Sequence, residues 1–479
     1  MKKFFENKKS QSGTILIQVF VFGMIAVLII GSLVSWAGTN IKSSRHAINR
    51  EQAIEIAEAG IEYYRWHLAH AQNDFQDAST SPTGPYVHNY YDKDGNLIGT
   101  FSLTITPPLV GSTLVTILSQ GNVTADPTVV RKIKVKMGMP SIAKYAMVTN
   151  SVVYYGSGDE VFGPIHSNVG VGFLDGNPDP IAHNIVTAAV STFNGHFGVY
   201  TTVPSADPNP PATVPNRPDV FQGGRQFPVP AVDFSGITTD LSAMKTSAQA
   251  NGFYRASSGA NGYKIVLKTD DTFDLYKVNS LLPAPHDCSN DQSQTGWGTW
   301  SINTTGGATT LLGNYPFPSN GIMFFEDNVW VEGQINTARL TIAAGTFPVN
   351  SSTYKNIIVN NNLLYTNFDG TDSLGLIAQG NFLVGMASAD SLTIDGALIA
   401  QNGGTIRYYY GNDCSPWDMR TTLATYGMYG SNKQGYFYYG DSGYEHQPAA
   451  YDANMLYSPP PSFPLTGNQY QIISWQEVK

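Results

Sequence analysis

Hydrophobic and polar positions follow three patterns along the chain, and the first is a run of 25 residues without a charged side chain, Thr14 to Gly38. A helix of that length is about 37 Å long, which is enough to cross a hydrocarbon core of about 30 Å. Lysines before the run give the first 13 residues a net charge of +3. The positive-inside rule therefore predicts a cytoplasmic N-terminus and an exported remainder. A cleaved signal peptide fits less well, because the run is long and no small-x-small cleavage site is clear.

The second pattern is a helical periodicity in residues 39–76, which contain no proline. Apolar side chains recur there at spacings of three and four residues, at Ile54, Ala57, Ile61, Tyr64 and Leu68. We therefore expect the apolar run and this stretch to form one helix over residues 14–76, about 60 residues and roughly 90 Å long. Its second half must pack on another part of the chain.

The third pattern is a succession of short apolar strands. Alternation at Phe101, Leu103 and Ile105 predicts a small antiparallel sheet over residues 77–140 that covers the helix. In residues 141–479 the strands are shorter, and the segment LIAQ at 376–379 recurs 22 residues later. A period near 20 residues favours a β-helix or solenoid, with a β-sandwich as the alternative. The expected class is α+β, with a long helix, a small sheet and a large, mainly β body.

Composition fits an exported β-rich protein. Only 13% of the residues are charged, whereas 47 glycines and 27 tyrosines are present and 42% of the residues are hydrophobic. This apolar content argues against disorder. The net charge is −9, and no strongly basic face is obvious after the first residues. Nucleic acid is therefore not an expected partner.

The N-terminal residues carry a resemblance to a known family. The leader-like MKKFFENKKSQSG ends at Gly13, and the helical stretch contains AIEIAEAG at 53–60. On these residues the first 60 or so positions resemble type IV minor pilins with a PilX-type N-terminus. The resemblance implies a leader over residues 1–13 that prepilin peptidase cuts between Gly13 and Thr14. It also implies partners, namely other pilins and the inner-membrane pilus assembly machinery, and a single-pass chain whose exported body reaches a filament or the cell surface.

Gln18 departs from the pilin pattern, since most major pilins have Glu as the fifth mature residue. In the family that Glu is thought to neutralise the N-terminal amine of a neighbouring subunit. A glutamine can form hydrogen bonds but cannot neutralise a buried ammonium. Gln18 therefore predicts a rare subunit, for instance at a filament tip, and the alternative is a tolerated variation within a loose minor-pilin group.

The chain has two cysteines, Cys288 and Cys414, 126 positions apart, and a disulfide is the expected state in an exported protein. No phosphate-binding loop, HExxH zinc motif or nucleophile elbow occurs, so neither a cofactor nor a metal nor an enzymatic activity is expected. A carbohydrate-active enzyme on a β-helix is a less favoured alternative that requires two or three acids in one groove.

Residues 407–457 are rich in aromatic side chains. Tyr408, Tyr409, Trp417 and Tyr438 are candidates for stacking on a surface glycan or contacting a protein partner, while packing inside a glycine-rich coil is the alternative. The motif GPIHSN at 163–168 and a few other short segments resemble parts of exported domains that accompany PilX-type N-termini. A Gly-Pro pair begins a turn, so we expect this motif to have a structural role. The leading interpretation is a pilin-like subunit that displays its body for adhesion or assembly. An uncleaved, membrane-anchored adhesin is the second.

Overall fold

A computed structural model describes residues 12–81, 84–108, 112–174, 176–456, 458–467 and 469–478. Within this part of the chain two compact units are present. The first comprises the residues up to 106 together with 116–136 and those from 474 onwards, and the second comprises 107–115 and 137–473.

The α-helices among the described residues are α1 (Ser12–His70) and α2 (Ile237–Asn251). The strands before α2 are β1 (Tyr86–Tyr91), β2 (Leu97–Thr106), β3 (Val115–Val123), β4 (Asp126–Gly138), β5 (Met147–Thr149), β6 (Val152–Tyr155), β7 (Glu160–Val161), β8 (Ile165–Ser167), β9 (Gly170–Phe173), β10 (Ile181–Ala182), β11 (Val186–Ala188), β12 (Thr192–Phe193), β13 (His196–Phe197), β14 (Val199–Thr201) and β15 (Arg225–Gln226). The strands after α2 are β16 (Phe253–Arg255), β17 (Gly262–Leu267), β18 (Thr272–Val278), β19 (Thr309–Pro316), β20 (Ile322–Phe325), β21 (Val329–Gln334), β22 (Arg339–Ala344), β23 (Ile357–Ile358), β24 (Leu363–Leu364), β25 (Ser373–Ala378), β26 (Phe382–Val384), β27 (Ser391–Ala400), β28 (Thr405–Arg407), β29 (Met419–Ser431), β30 (Gly443–His446), β31 (Ala449–Tyr451) and β32 (Gln471–Val478).

The predicted single long helix is present as α1, which has 59 residues and is therefore about 88 Å long. It ends at His70 rather than at residue 76, because the Asp74 carboxylate accepts hydrogen bonds from the amides of Gln76 (2.8 Å) and Ala78 (2.7 Å). A side chain that binds these amides offers the backbone an alternative to another helical turn. Although burial acts in the opposite direction, these bonds lower the pKa of Asp74.

The sheet of the first unit has the strand order β1-β2-β3-β4-β32, and β1–β2 and β2–β3 pair antiparallel. This confirms the small antiparallel sheet, with Phe101 and Leu103 buried as expected. Strand β32 falls within residues 141–479, which the sequence analysis assigns to the body. It instead lies beside β4, more than 300 positions away along the chain, and so the whole body is inserted between two strands of this sheet.

Ten strands of the second unit form one parallel ladder in the order β16-β20-β22-β25-β27-β29-β5-β8-β11-β15. The recurring LIAQ segments stack directly, since Leu376 pairs with Leu398. The chain enters the ladder at β5, proceeds outward to β15, and after α2 begins again at β16 at the opposite end. It returns to the middle at β29, where Tyr429 pairs with Met147.

A second parallel ladder runs through β17, β21, β23, β26 and β28. Its side chains alternate between two separate cores. Val329, Ile357 and Phe382 point into the main core of the body. Their immediate neighbours in sequence, Trp330, Ile358 and Leu383, enter a second cluster on the other face of the ladder.

Asparagines connect successive turns of this ladder. The side-chain oxygen of Asn328 accepts the Asn356 amide (3.0 Å), that of Asn356 accepts the Asn381 amide (2.8 Å), and that of Asn381 accepts the Gly404 amide (3.0 Å). Each asparagine thus satisfies a backbone donor one turn further along. The α+β class with a mainly β body is confirmed.

Candidate assembly helix and candidate binding surface

The N-terminal half of α1 presents an apolar surface that the rest of the described chain does not cover. Between Ile15 and Trp36 the large apolar side chains are 45–74% exposed. This is the described helix that is long and apolar enough to cross a membrane. Soluble monomers rarely expose a contiguous apolar surface larger than a few hundred Å², so this half of α1 has the character of a helix that lipid or other helices cover.

Gln18 lies exposed within this apolar surface. No acidic residue occurs between Gln18 and Glu51, so the apolar half of α1 carries no carboxylate that could neutralise an amine. Gly13 and Thr14 lie in the first turn of α1, and residues 1–11 of the predicted leader lie outside the described residues. Processing between Gly13 and Thr14 stays a prediction.

The second half of α1 packs on the sheet, as its periodicity predicted. Ala57, Ile61, Tyr64 and Leu68 are at most 2% exposed. Ile54 lies at the edge of the contact and is only partly buried. The buried stripe extends along the neighbouring helical positions instead, with Ala53, Ile56, Gly60 and His67 among its members.

Small residues let this half of the helix approach the sheet closely. A Cβ atom at Gly121 of β3 would overlap the Ala53 carbonyl oxygen and lie 2.6 Å from the Ala57 amide nitrogen. A Cβ atom at Gly60 would lie 2.9 Å from the Phe101 ring. Ala53, Ala57 and Gly60 of the AIEIAEAG segment therefore serve helix–sheet packing, a role that the sequence alone did not assign to them.

The predicted disulfide between Cys288 and Cys414 is formed, with the two Cα atoms 4.6 Å apart. Hydrogen bonds from aromatic side chains fix residues 279–303 beside it. Trp297 donates to the Tyr409 carbonyl (3.0 Å), Tyr410 donates to that of Gly298 (2.8 Å), and Tyr408 donates to that of Thr295 (3.2 Å). The disulfide and these rings belong to the second cluster of the body.

This cluster corrects part of the predicted binding surface. Tyr408 is only 2% exposed and packs in the core, so it is not available to a surface ligand. Trp417 is partly buried against the same cluster, and the partly buried Tyr409 donates to Asp441 (3.0 Å). Tyr438 is 39% exposed and remains a candidate. Tyrosine packing, the alternative given for this segment, therefore accounts for Tyr408.

Arg407 is a buried residue that sequence reasoning missed, since arginine is rarely fully buried. Its guanidinium donates to the carbonyls of Met386 (3.2 Å), Trp417 and Asp418 (3.3 Å), and lies 4.7 Å from the centre of the Tyr410 ring. Burial lowers its pKa to about 10. Arg407 thereby joins the disulfide region to the turn before β29.

Three aspartates inside the body, Asp372, Asp395 and Asp452, lie near Tyr365, whose pKa is raised by burial and then by their charges. They are 1–3% exposed and accept backbone hydrogen bonds, for example Asp395 from Tyr365 (2.9 Å). Burial, followed by the charge of Asp452, raises the pKa of Asp395 to about 6. These acids are enclosed rather than lining an open groove. Within the described ranges no group of three His, Cys, Asp or Glu side chains could hold a metal ion.

No protein-family model matches the chain, and no curated protein matches it. Among solved structures it is similar to the competence-associated pilin ComZ from Thermus thermophilus, at 12% sequence identity and a TM-score of 0.31. The similarity covers 90% of this chain and 97% of that one. At this TM-score the similarity establishes neither a shared fold nor a shared function.

Proposed function

We propose that the protein is a minor pilin or pilin-like structural subunit of a type IV pilus-type filament, without enzymatic activity. The leader-like residues up to Gly13, the uncharged run after Thr14 and the small-residue segment at 53–60 together support this assignment. Other pilins, prepilin peptidase and the inner-membrane assembly machinery are the partners that the proposal requires.

The division of α1 into two halves is the observation that carries the proposal. One half docks on its own sheet through Ala53, Ala57 and Gly60, while the apolar half from Ile15 to Trp36 remains uncovered. A helix that served only as an anchor would need lipid around this half. A filament subunit needs lipid before assembly and the equivalent helices of neighbours afterwards, and the same apolar surface serves both states.

We further propose that the body is a β-helix that is displayed on the filament. The parallel ladders, the direct stacking of Leu376 on Leu398 and the asparagine bonds between turns support this fold over a β-sandwich. Insertion between β4 and β32 connects both ends of the body covalently to the pilin-like unit. Gln18 supports a rare position, such as the tip.

The processing step provides the experiment. We would express Gly13→Leu beside Gly306→Leu, the same change at an exposed turn position of the body where a Cβ atom meets nothing within 4 Å. Gly306→Leu should give a chain that begins at Thr14 and enters the sheared filament fraction. Gly13→Leu should keep its leader and stay in the membrane. Leader retention by the wild-type chain, with surface display intact, would instead favour the uncleaved adhesin.

A further inference from the structure

A row of apolar side chains follows the outer face of the second ladder from turn to turn. Trp330 pairs with Ile358, Ile358 with Leu383, and Leu383 with Ile406, each in parallel register. A bridge continues the row from Ile406 to Tyr436. The row thus extends over five successive turns, at about 4.8 Å per step.

The chain covers only one part of this row. Residues 279–303, which the disulfide fixes in place, pack over Trp330, Ile358 and Leu383, so these three side chains are at most 3% exposed. Beyond Ile406 this cover ends. Tyr436 is 42% exposed, and Tyr438, two residues further along the chain, is 39% exposed.

Tyr154 of β6 extends the open part. Ser431 pairs with Thr149, and the Asn150 side chain donates to that of Asn432 (2.7 Å), so Tyr436 and Tyr154 each lie five residues beyond a paired position on neighbouring turns. Tyr154 pairs with Gly172, which in turn pairs with Tyr200. A Cβ atom at Gly172 would lie 2.9 Å from both tyrosine rings, so each ring lies over the glycine. Tyr154 is 41% exposed and therefore offers its other face to solvent.

From this arrangement we propose that Tyr154, Tyr436 and Tyr438, here called the tyrosine face, bind a neutral polysaccharide by stacking on its sugar rings. The inference rests on the proposed display of the body at the surface. Where the row is covered its members are Trp, Ile and Leu, whereas the open members are tyrosines. An aromatic face packs on the C–H face of a sugar, and a phenol hydroxyl can bond to its hydroxyl groups.

The size and charge of the face favour this ligand over other classes. A tyrosine side chain has an area of about 200 Å², so three rings that are about 40% exposed offer roughly 240 Å². A standard protein interface buries about 800 Å² on each partner, which makes a narrow linear polymer the better match. The net charge of −9 disfavours acidic polysaccharides.

The test uses the detergent-solubilised full chain in binding isotherms with insoluble cellulose and chitin, and with alginate as an acidic polymer. We expect binding to at least one neutral polymer and little to alginate. The double variant Tyr154→Ala/Tyr436→Ala should weaken binding at least tenfold. The double phenylalanine variant should retain most of it, which separates loss of the rings from loss of fold.

Tyr91→Ala is the matched control, because Tyr91 is 51% exposed but lies in the small sheet of the other unit. Its affinity should equal that of the wild type. The proposal is overturned if the wild-type chain binds neither neutral polymer, or if the double alanine variant binds as tightly as the wild type. Capture of a protein by a photo-crosslinker at position 436, without polymer binding, would replace the glycan by a protein partner. None of these results depends on cleavage at Gly13.

Discussion

Gly121 provides a sharp test of how α1 is attached to its sheet, because two physical effects predict opposite signs for Gly121→Ala. Glycine is an unfavourable strand residue, and its replacement by alanine should by itself stabilise β3 by about 0.5–1 kcal/mol. In the structure, however, the new Cβ atom would overlap the Ala53 carbonyl oxygen and approach the Ala57 amide. Overpacking of this kind typically costs about 1–3 kcal/mol, and backbone atoms cannot rotate away as a side chain could.

Because the new atom would lie only 2.0 Å from the Ala53 oxygen, the cost falls in the upper part of that range, about 2–3 kcal/mol, and we expect a net destabilisation of about 1–2 kcal/mol in the first unit. Hydrogen exchange followed by mass spectrometry measures this directly in peptides from residues 53–68 and from β3. Exchange there should accelerate roughly 5- to 30-fold, since 1.4 kcal/mol corresponds to a factor of ten. Gly156→Ala is the control, because a Cβ atom at Gly156 meets nothing within 4 Å. Unchanged or slower exchange in the Gly121 variant would refute the close helix–sheet contact.

The remaining predictions concern the body. Reducing the disulfide, which closes a loop of 126 residues, should cost about 4–5 kcal/mol in the chain-entropy model, seen as a lower calorimetric Tm, and an unchanged Tm would contradict it. Asn356→Ala should cost about 1–3 kcal/mol in denaturant unfolding because it leaves the Asn381 amide without its acceptor, whereas Asn361→Ala on the exposed side should cost under about 0.5 kcal/mol. The raised pKa of Asp395, about 6, means that the folded state binds this proton more tightly than the unfolded state. The corresponding stability is present below about pH 4 and is lost as the pH rises to about 6, by about 1–3 kcal/mol, and Asp395→Asn should flatten that part of the stability–pH curve.

Local patterns sufficed for much of the first unit. An uncharged run and a spacing of three to four residues between apolar side chains predict a helix from local sequence alone. Alternation of apolar and polar residues likewise predicts the strand around Phe101 and Leu103. The buried stripe of α1 includes Ala53 and Gly60 rather than Ile54, and the sequence did not indicate this because alanine and glycine are only weakly hydrophobic. Their contribution at Ala53 and Gly60 lies in the space that they leave for the sheet.

The pairing of strands that are far apart in the sequence could not be predicted from the sequence. Strand β32 pairs with β4, and β29 pairs with β5, although hundreds of positions separate the partners, and no local pattern encodes such a neighbour. Buried polar residues were missed for a related reason. Arg407 and Asp395 are tolerated inside because backbone groups 10 to 30 residues away, the carbonyls of Met386 and Trp417 and the amide of Tyr365, bond to them. The same holds for Tyr408, whose burial depends on the segment that covers it.

The mature N-terminus of the wild-type chain is the measurement that bears most directly on the pilin assignment. We would recover the protein from membrane and filament fractions and identify its N-terminal peptide by mass spectrometry. The account predicts a chain that begins at Thr14, with residues 1–13 removed, in the filament fraction. A chain that still begins at Met1 in both fractions would contradict it.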